Sequence, residues 1–470
     1  MRTSKWTLGA AALTSLIVLC GVGINANATA SPTNASELGT TLTDFGANPR
    51  ASKDGMIPAY TGGLRAAPTG FHKGSKLYVD PYASEKPLYV VTNSNLAKYE
   101  KYLTAGTLAL FQRYPNFKVE VYPSHRPVWY PKWILQNTLK NATSARIVYT
   151  EGKQSLAGGD ADGLPFAGVP FPIPVTGSEV MWNHKFAVAP AVQHLSCNAW
   201  LVGSNGLEVP LPHVNEFFLH PWYDQTGQLR KEAFNAIFGF SATETSPPTA
   251  AGITFLNYYL ASSDNGGQKV WFYTPGQRRV RVAPDFAYDT PIAAYGGVIT
   301  FDEVFGFVGN LNRFNYKLVG KKELIIPYDD YHLVNLPSKD TLGKHFVNPE
   351  AVRWEMHRVW VVEATRKAGV HNIFSKRTYY VDEDSWAVAS VDEYDDNGKL
   401  WRVGDIYTYP TYDYGGVSNM AFSYNDLSKG DYSIINIGGG DKGDFRMSYP
   451  DGDGLHMLLT PEAVAAGSVR

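Results

Sequence analysis

The sequence predicts an α+β fold that is built mainly from antiparallel β-strands. The stretch Arg353–Val403 contains four strand-like runs separated by turn residues. Asn397-Gly398 is typical of a tight hairpin, because this pair tolerates the positive φ angles that such turns need. Aromatic residues make up 13% of the chain, and aromatic side chains favour strands. These three observations predict a meander with one apolar and one polar face.

Length and charge limit the class of protein. The chain has 470 residues, of which 44% are hydrophobic, and a formal net charge of -2. It is long enough to bury a large core in one or two domains. A general nucleic-acid binder would carry a strong basic excess, so we expect no nucleic-acid partner.

The first part of the chain predicts export. Residues 1–28 contain a basic start, an apolar run at Leu8–Ile24 and a small-x-small cleavage site that ends at Ala28. This order is typical of a secretory signal and predicts a periplasmic protein. Lipidation of Cys20 is the alternative. After cleavage near Ala28 only Cys197 remains, so the mature chain forms no internal disulfide.

The predicted domain organisation follows from composition. Residues 29–95 are rich in Gly, Pro, Asn and Thr and predict an extended arm that wraps the domain. Residues 96–470 then form one large domain, and a subdivision near 245–250, at Ser246-Pro247-Pro248, is the alternative. Four apolar residues would fix the arm to the domain: Tyr60, Leu64, Phe71 and Tyr82.

Further elements follow along the chain. Asn95–Thr107 predicts a helix with Asn95 as its cap, because its leucines and Tyr99 recur at helical spacing. The proline-rich stretch 163–184 predicts a rigid loop that leads into a second helix. From Ala251 onwards strands alternate with turns, including a turn at Pro275-Gly276.

The common catalytic motifs are missing from the sequence. It contains no G-x-S-x-G elbow, no H-E-x-x-H pair, no P-loop and no C-x-x-C. The histidines are scattered and favour core or surface roles. The acidic groups at 382–384 and 392–396 fall at hairpin ends, where carboxylates serve turns. We therefore predict no catalytic residue, no metal site and no cofactor.

Aromatic and aliphatic strand residues remain as candidates for function. If the sheet curves strongly and helices cover it only in part, its concave face becomes a cavity for an acyl chain or sterol-like body. The candidates to line this cavity are Trp271, Tyr273, Trp354, Met356, Trp360 and Val362. The candidates to meet a head group or a partner, if they are not simply solvated, are Arg278, Arg279 and Arg281.

Several segments together resemble a known family. They are IPAYTGGL at 57–64, FPIPVTGSEVMWNH at 171–184, GQRRVR at 276–281, LVGKKELIIPY at 318–328, RWEMHRVWVVEAT at 353–365 and SKRTYYVDEDSW at 375–386. On these segments the chain is similar to the exported family of domain of unknown function 1329 (DUF1329). The hairpins within 250–405 also resemble LolA/LolB-like periplasmic lipoprotein carriers.

The resemblance implies a fold and a role. The fold would be a half-barrel, a strongly curved antiparallel sheet partly covered by helices, as in LolA/LolB-like outer-membrane lipoprotein-sorting proteins. The role would be that of a periplasmic carrier, and the family is associated with RND-type exporters and outer-membrane proteins. Either could be the partner, with an association at the outer membrane. The family supplies no catalytic residues.

Three hypotheses follow. The first is a non-enzymatic carrier that captures and releases a lipid or another hydrophobic ligand in the curved sheet. The second is an accessory subunit of an envelope exporter, with a filled core and no ligand. The third is a lipid or glycan hydrolase whose His and Asp residues meet only after folding. A continuous apolar cavity would favour the first hypothesis over the second.

Overall fold

The computed structural model describes residues 35–262, 267–277, 279–282, 288–441, 446–448 and 460–466. The predicted signal at 1–28, with Cys20, lies outside the described residues and stays a prediction. The described residues form a large, mostly antiparallel sheet that is open and curved, with a few short helices. The predicted α+β fold is confirmed.

Strands dominate the described part of the chain. They are β1 (Tyr89–Val91), β2 (Val119–Val121), β3 (Arg146–Thr150), β4 (Lys153–Ala157), β5 (Val192–Val202), β6 (Glu208–Pro210), β7 (His213–Leu219), β8 (Ala236–Ser246), β9 (Thr254–Leu260), β10 (Gln268–Thr274), β11 (Arg279–Val282), β12 (Phe314–Pro327), β13 (Trp354–Arg366), β14 (Lys376–Asp382), β15 (Val388–Tyr394), β16 (Leu400–Pro410), β17 (Val417–Asp426), β18 (Tyr432–Ile437) and β19 (Arg446–Ser448). The α-helices are α1 (Leu96–Tyr99), α2 (Ala105–Arg113), α3 (Lys132–Ser144), α4 (Gly177–Lys185), α5 (Gln228–Glu232), α6 (Tyr331–Asn335), α7 (Ser338–Thr341) and α8 (Pro461–Ala466).

The sheet consists of two halves that share strand β5. Strands β12 to β18 pair antiparallel in chain order and form the meander half. Strands β7 to β11 also pair antiparallel in chain order and form the hairpin half. Residues 192–197 of β5 pair with β7, and residues 198–202 pair with β18. One long strand therefore carries the sheet from one half to the other.

The meander half contains the predicted runs of Arg353–Val403. They form β13, β14, β15 and the first part of β16, and Gly398 has a φ of 73° in the predicted hairpin turn. The predicted polar face is not solvated, however. Glu355 and Glu393 are each 0% exposed. Both faces of this half are thus covered, because the register places these two carboxyls on opposite faces. Glu355 accepts a hydrogen bond from the N–H of His125 on one face, and Oε1 of Glu393 lies 2.9 Å from Nε of Arg377 on the other.

The arm packs on the core without forming regular strands before β1. Tyr60, Leu64, Phe71 and Tyr82 are partly buried against the main hydrophobic cluster. Tyr60 donates a hydrogen bond to the carbonyl of Val128 at 2.9 Å. The four residues therefore occupy the packing positions that the sequence predicts for them. The segment near 245–250 connects β8 to β9 within one hairpin.

The predicted helix at Asn95–Thr107 is wrong in its continuity. Helix α1 ends at Tyr99, Leu103 is extended, and Thr104 starts α2 by accepting a hydrogen bond from the N–H of Thr107 at 3.0 Å. Asn95 does not cap α1 with its side chain. The break lets α2 lie on β15 and β16, where the N–H of Gly106 donates to Asp392 at 2.9 Å.

Candidate functional site

An apolar cavity of about 370 Å³ lies against the inner face of the hairpin half. Its sheet wall comes from β7 to β10 and the turn before β9: Val214, Glu216, Phe218, Phe240, Ala242, Glu244, Ile253, Phe255 and Phe272. Its other wall comes from the segment 290–305, called the cover below. The cover contributes Ile292, Tyr295, Phe301, Val304 and Phe305 among others.

Register explains why these strand residues share one face. Phe218 pairs with Phe240, and Phe255 pairs with Phe272. Alternate residues of a strand point to the same side, so the partners and their i±2 neighbours line one surface. The ring centroids of Phe255 and Phe272 are 4.8 Å apart, and those of Phe255 and Phe301 are 5.0 Å apart. Aromatic packing therefore continues from the sheet to the cover.

The cover is attached to the meander half by buried ion pairs. Asp302 accepts two hydrogen bonds from Arg377 of β14, at 2.9 and 3.0 Å. Glu303 accepts two from Arg402 of β16, at 3.0 and 2.7 Å. Phe305, with Phe301, lies on the cavity wall instead. This short segment thus joins a charged anchor to an apolar lining.

Glu216 is a buried carboxyl group within the cavity wall. Its side chain is on the inner face of β7, and the residue is 2% exposed. Tyr295 of the cover donates a hydrogen bond to its Oε1 at 2.9 Å. Its Oε2 makes no hydrogen bond of normal geometry with the described residues, although the side-chain amide of Asn436 lies near the carboxyl group. Burial raises the pKa of Glu216 to about 7, although the side chains of Tyr295 and Asn436 favour the charged form.

Glu244 is a second carboxyl group in the same wall. Glu244 lies on β8 opposite Val214 of β7, so it is the diagonal neighbour of Glu216. It is half-buried, and this desolvation raises the pKa of its carboxyl above the usual value. The described lining residues include no Lys, Arg or His. The cavity is therefore apolar with two acidic groups and no cationic partner for them.

The predicted lining residues of the hairpin half lie on the opposite face from this cavity. Trp271 and Tyr273 pack against the smaller hydrophobic cluster, with Leu256 and Tyr258. Trp271 stacks on Phe234 with ring centroids 6.3 Å apart. The residue between them, Phe272, faces the cavity. The physical reason is the two-residue period of a strand, by which a shift of one position exchanges the faces.

The predicted lining residues of β13 lie in the main core. Trp354, Met356 and Val362 are 4%, 1% and 0% exposed. Trp360 is partly buried, and it stacks on Trp386 with centroids 6.1 Å apart, under the ammonium of Lys321. None of the six predicted residues is part of the apolar cavity wall. Their contact with a ligand stays a prediction.

Two of the three predicted head-group residues lie on an end strand of the sheet and are not part of the apolar cavity wall. Arg279 and Arg281 are exposed on β11, the end strand of the hairpin half. Arg278 lies outside the described residues. Contact of these arginines with a head group or a partner stays a prediction.

Glu216 is not among the site residues predicted from the sequence, although the pattern around it indicates a buried acid. In HVNEFFL the alternate positions Val214, Glu216 and Phe218 share one face. An acid between two apolar residues of one strand face marks a buried polar group. The arrangement around it depends on Tyr295, which is 79 positions away.

The buried His184 is held by hydrogen bonds with the backbone. His184 accepts a hydrogen bond from the N–H of Val388 at 3.1 Å, and its other ring nitrogen lies 3.0 Å from the carbonyl of Phe307. Burial lowers the pKa of His184 to about 4. Both ring nitrogens are thus used by the backbone, as expected for a core histidine.

The described residues also lack a metal centre and a membrane-spanning helix. No group of three or more His, Cys, Asp or Glu side chains there has a geometry suited to a metal ion. Among the helices of the same residues, each is too short or too polar to cross a membrane.

Comparison with known proteins gives one family. Residues 90–465 match the family described as "Protein of unknown function (DUF1329)". The uncharacterized protein PA3922 of Pseudomonas aeruginosa is 33% identical, over 99% of this chain and 100% of its own length.

Solved structures are similar at a much lower level. A DUF1329 family protein from Desulfovibrio piger has a TM-score of 0.41 and 12% identity, over 61% of this chain and 97% of that chain. A putative outer membrane lipoprotein-sorting protein domain from Vibrio parahaemolyticus has a TM-score of 0.41 and 11% identity, over 62% of this chain and 98% of that chain.

Proposed function

The chain belongs to the DUF1329 family, and we propose that it binds a lipid or another hydrophobic molecule in the apolar cavity and carries it without chemical change. The observation that supports this proposal is the cavity itself. Its volume of about 370 Å³ lies in the range of small-molecule sites. Its walls are mainly aromatic and aliphatic, with a few polar groups that can orient a ligand.

The energetics favour an alkyl or fused-ring ligand. Each methylene group that moves from water into such a cavity contributes about 0.8 kcal/mol. Part of this gain offsets the loss of translational and rotational freedom on binding. The aromatic rings of Phe240, Phe255 and Phe272 supply rigid contact area, so little additional ordering of the protein is required.

Extraction of the purified protein tests this proposal directly. We expect mass spectrometry of an organic extract to detect a hydrophobic molecule, and the emptied protein to bind a fluorescent apolar probe. The absence of both would contradict the proposal.

A cavity-filling variant tests whether the ligand binds in the cavity. Ala242 lies on the cavity wall, so Ala242→Trp should fill the space and weaken probe binding at least about tenfold. The matched control is Ala66→Trp, because Ala66 is exposed on the arm and is not a lining residue of the cavity. Equal probe binding by the two variants would place the ligand elsewhere.

Export and partner are the remaining parts of the proposal. The predicted signal at 1–28 supports a periplasmic carrier, and the partner that receives or supplies the ligand would be an RND-type exporter or an outer-membrane protein. Cell fractionation checks the location: recovery of the full-length chain, uncleaved, in the cytoplasm would contradict it.

A further inference from the structure

The charge of the cavity wall restricts the kind of ligand more than the volume of the cavity does. Glu216 and Glu244 lie diagonally on neighbouring strands of the same face. Diagonal neighbours in an antiparallel pair have their Cα atoms roughly 7–8 Å apart. Both carboxyl groups therefore border one end of the cavity. A ligand with a carboxylate or phosphate head would bring a third anion to this end.

Glu216 is already positioned to receive a hydrogen-bond donor. Tyr295 holds its Oε1 from the cover side, which fixes the carboxyl group on the cavity wall. Its Oε2 is buried and makes no hydrogen bond of normal geometry with the described residues, and the amide of Asn436 beside the carboxyl group carries no charge. A buried acceptor without a partner destabilises the folded protein, because it has lost its hydrogen bonds to water. A ligand that donates to this oxygen recovers that free energy, whereas a purely apolar ligand does not.

We propose that the carried molecule is a cationic amphiphile, whose apolar body fills the cavity and whose amine head donates a hydrogen bond to Oε2 of Glu216. This inference rests on the proposed function. An ammonium is the complementary head, because it supplies both the donor and the opposite charge. A hydroxyl head would supply the donor alone, and a carboxylate head would supply neither at neutral pH.

Three probes with the same alkyl chain separate the head group from the chain. Dodecylamine, dodecanol and dodecanoate would each compete with a bound fluorescent apolar probe at about pH 8, where the amine is protonated and Glu216 is ionised. We expect the amine to bind at least about tenfold more tightly than the acid, with the alcohol between them.

A charge-removing variant identifies the group that recognises the head. Glu216→Gln keeps the shape of the side chain and should weaken the amine at least about tenfold, with little effect on the alcohol. Glu208→Gln is the control. Glu208 is exposed on β6, so this substitution removes the same charge outside the cavity. Equal loss of amine binding in both variants would overturn the inference.

The pH dependence supplies a second readout. Two ionisable groups interact with Glu216, namely Tyr295 from the cover and Cys197 from β5, and Glu244 from β8 lies diagonally from it and acts on Tyr295. Amine binding by the native chain should weaken as the pH falls below about 7, and binding by Glu216→Gln should not. Amine binding that is independent of pH in both proteins would overturn the inference.

The outcomes also separate this inference from the proposed function. If none of the three probes binds, the proposed function fails and the inference fails with it. If all three bind equally, or the acid binds best, the carrier function stands and the cationic head group is wrong.

Discussion

The meander half and the hairpin half of the sheet have the same strand pattern but different interiors. Both consist of consecutive antiparallel strands with alternating aromatic residues. In the meander half both faces are filled, and Tyr379 and Tyr424 are each 0% exposed. In the hairpin half one face packs on a small cluster, and the other faces a cavity of about 370 Å³.

The carboxyls that hold the cover and the carboxyl in the cavity wall also differ in their partners. In the meander half, Asp302 and Glu303 meet Arg377 and Arg402. Burial alone would raise the pKa of Glu303, but the nearby arginines hold it below its usual value. In the hairpin half, Glu216 has a tyrosine and no cation. The carboxyls that hold the cover thus have arginine partners, but this is not true of the whole meander half: Asp392 accepts hydrogen bonds from Tyr380 and the N–H of Gly106 instead, and burial raises its pKa to about 7. Glu216 differs because it lines a cavity, from which a ligand can supply the missing cation.

The largest expected effect comes from removal of a cation in the filled half. Arg377 is 0% exposed, and Arg377→Met would leave Asp302 and Glu393 as buried carboxyls without it. We expect a loss of about 3–5 kcal/mol in the free energy of unfolding, measured by urea denaturation. Arg377→Lys keeps the charge but not the forked geometry, so its loss should be smaller.

A surface pair is the control for this prediction. Glu350 lies 2.9 Å from Lys118, and its side chain is 69% exposed. Glu350→Gln should therefore change the free energy of unfolding by less than about 1 kcal/mol. A cost of Arg377→Met no greater than this would show that the buried pairs do not hold the cover.

A large side chain introduced in each half compares their interiors directly. Ala364 of β13 is 0% exposed in the packed core, whereas Ala242 of β8 faces the cavity. Ala364→Trp should destabilise the protein by about 1–3 kcal/mol or more, because a filled core has no room for it. Ala242→Trp should cost clearly less, as measured by thermal unfolding of the emptied protein. Equal costs would show that the hairpin half is also filled.

The sequence predicts the fold class better than it predicts the site. Strand alternation and turn residues are local, so the runs of Arg353–Val403 and the turn at Pro275-Gly276 follow from them. The faces of β10 do not follow, because Trp271, Phe272 and Tyr273 are all aromatic and alternation cannot choose between them. Contact with the cover determines which face of β10 lines the cavity, and the cover is not part of the local strand pattern.

The buried charges are equally hard to predict from local pattern. Arg377 meets Asp302 across 75 positions, and Glu216 meets Tyr295 across 79. A local pattern shows these residues as polar positions of strands and turns, which favours solvated roles. Only the folded chain shows which carboxyls have an arginine beside them.

The smallest expected effect is a pH dependence that belongs to the hairpin half. A glutamate titrates near 4.5 in the unfolded chain and Glu216 near 7 in the folded protein. Between these two pH values the folded protein binds more protons than the unfolded chain, so the free energy of unfolding falls as the pH rises. Glu216→Gln removes this contribution. Relative to the variant, the native chain should lose about 1 kcal/mol between about pH 5.5 and pH 6.5.

A surface carboxyl provides the reference for this measurement. Hydrogen bonds from Ser52 and from the N–H of Met56 lower the pKa of Asp54, so Asp54 is ionised in both states above about pH 5. The stability difference between the native chain and Asp54→Asn should thus be the same at both pH values. A constant difference for Glu216→Gln as well would mean that Glu216 is already ionised in the folded protein. Its charge would then be stabilised from within the chain, and the cavity would need no cation from a ligand.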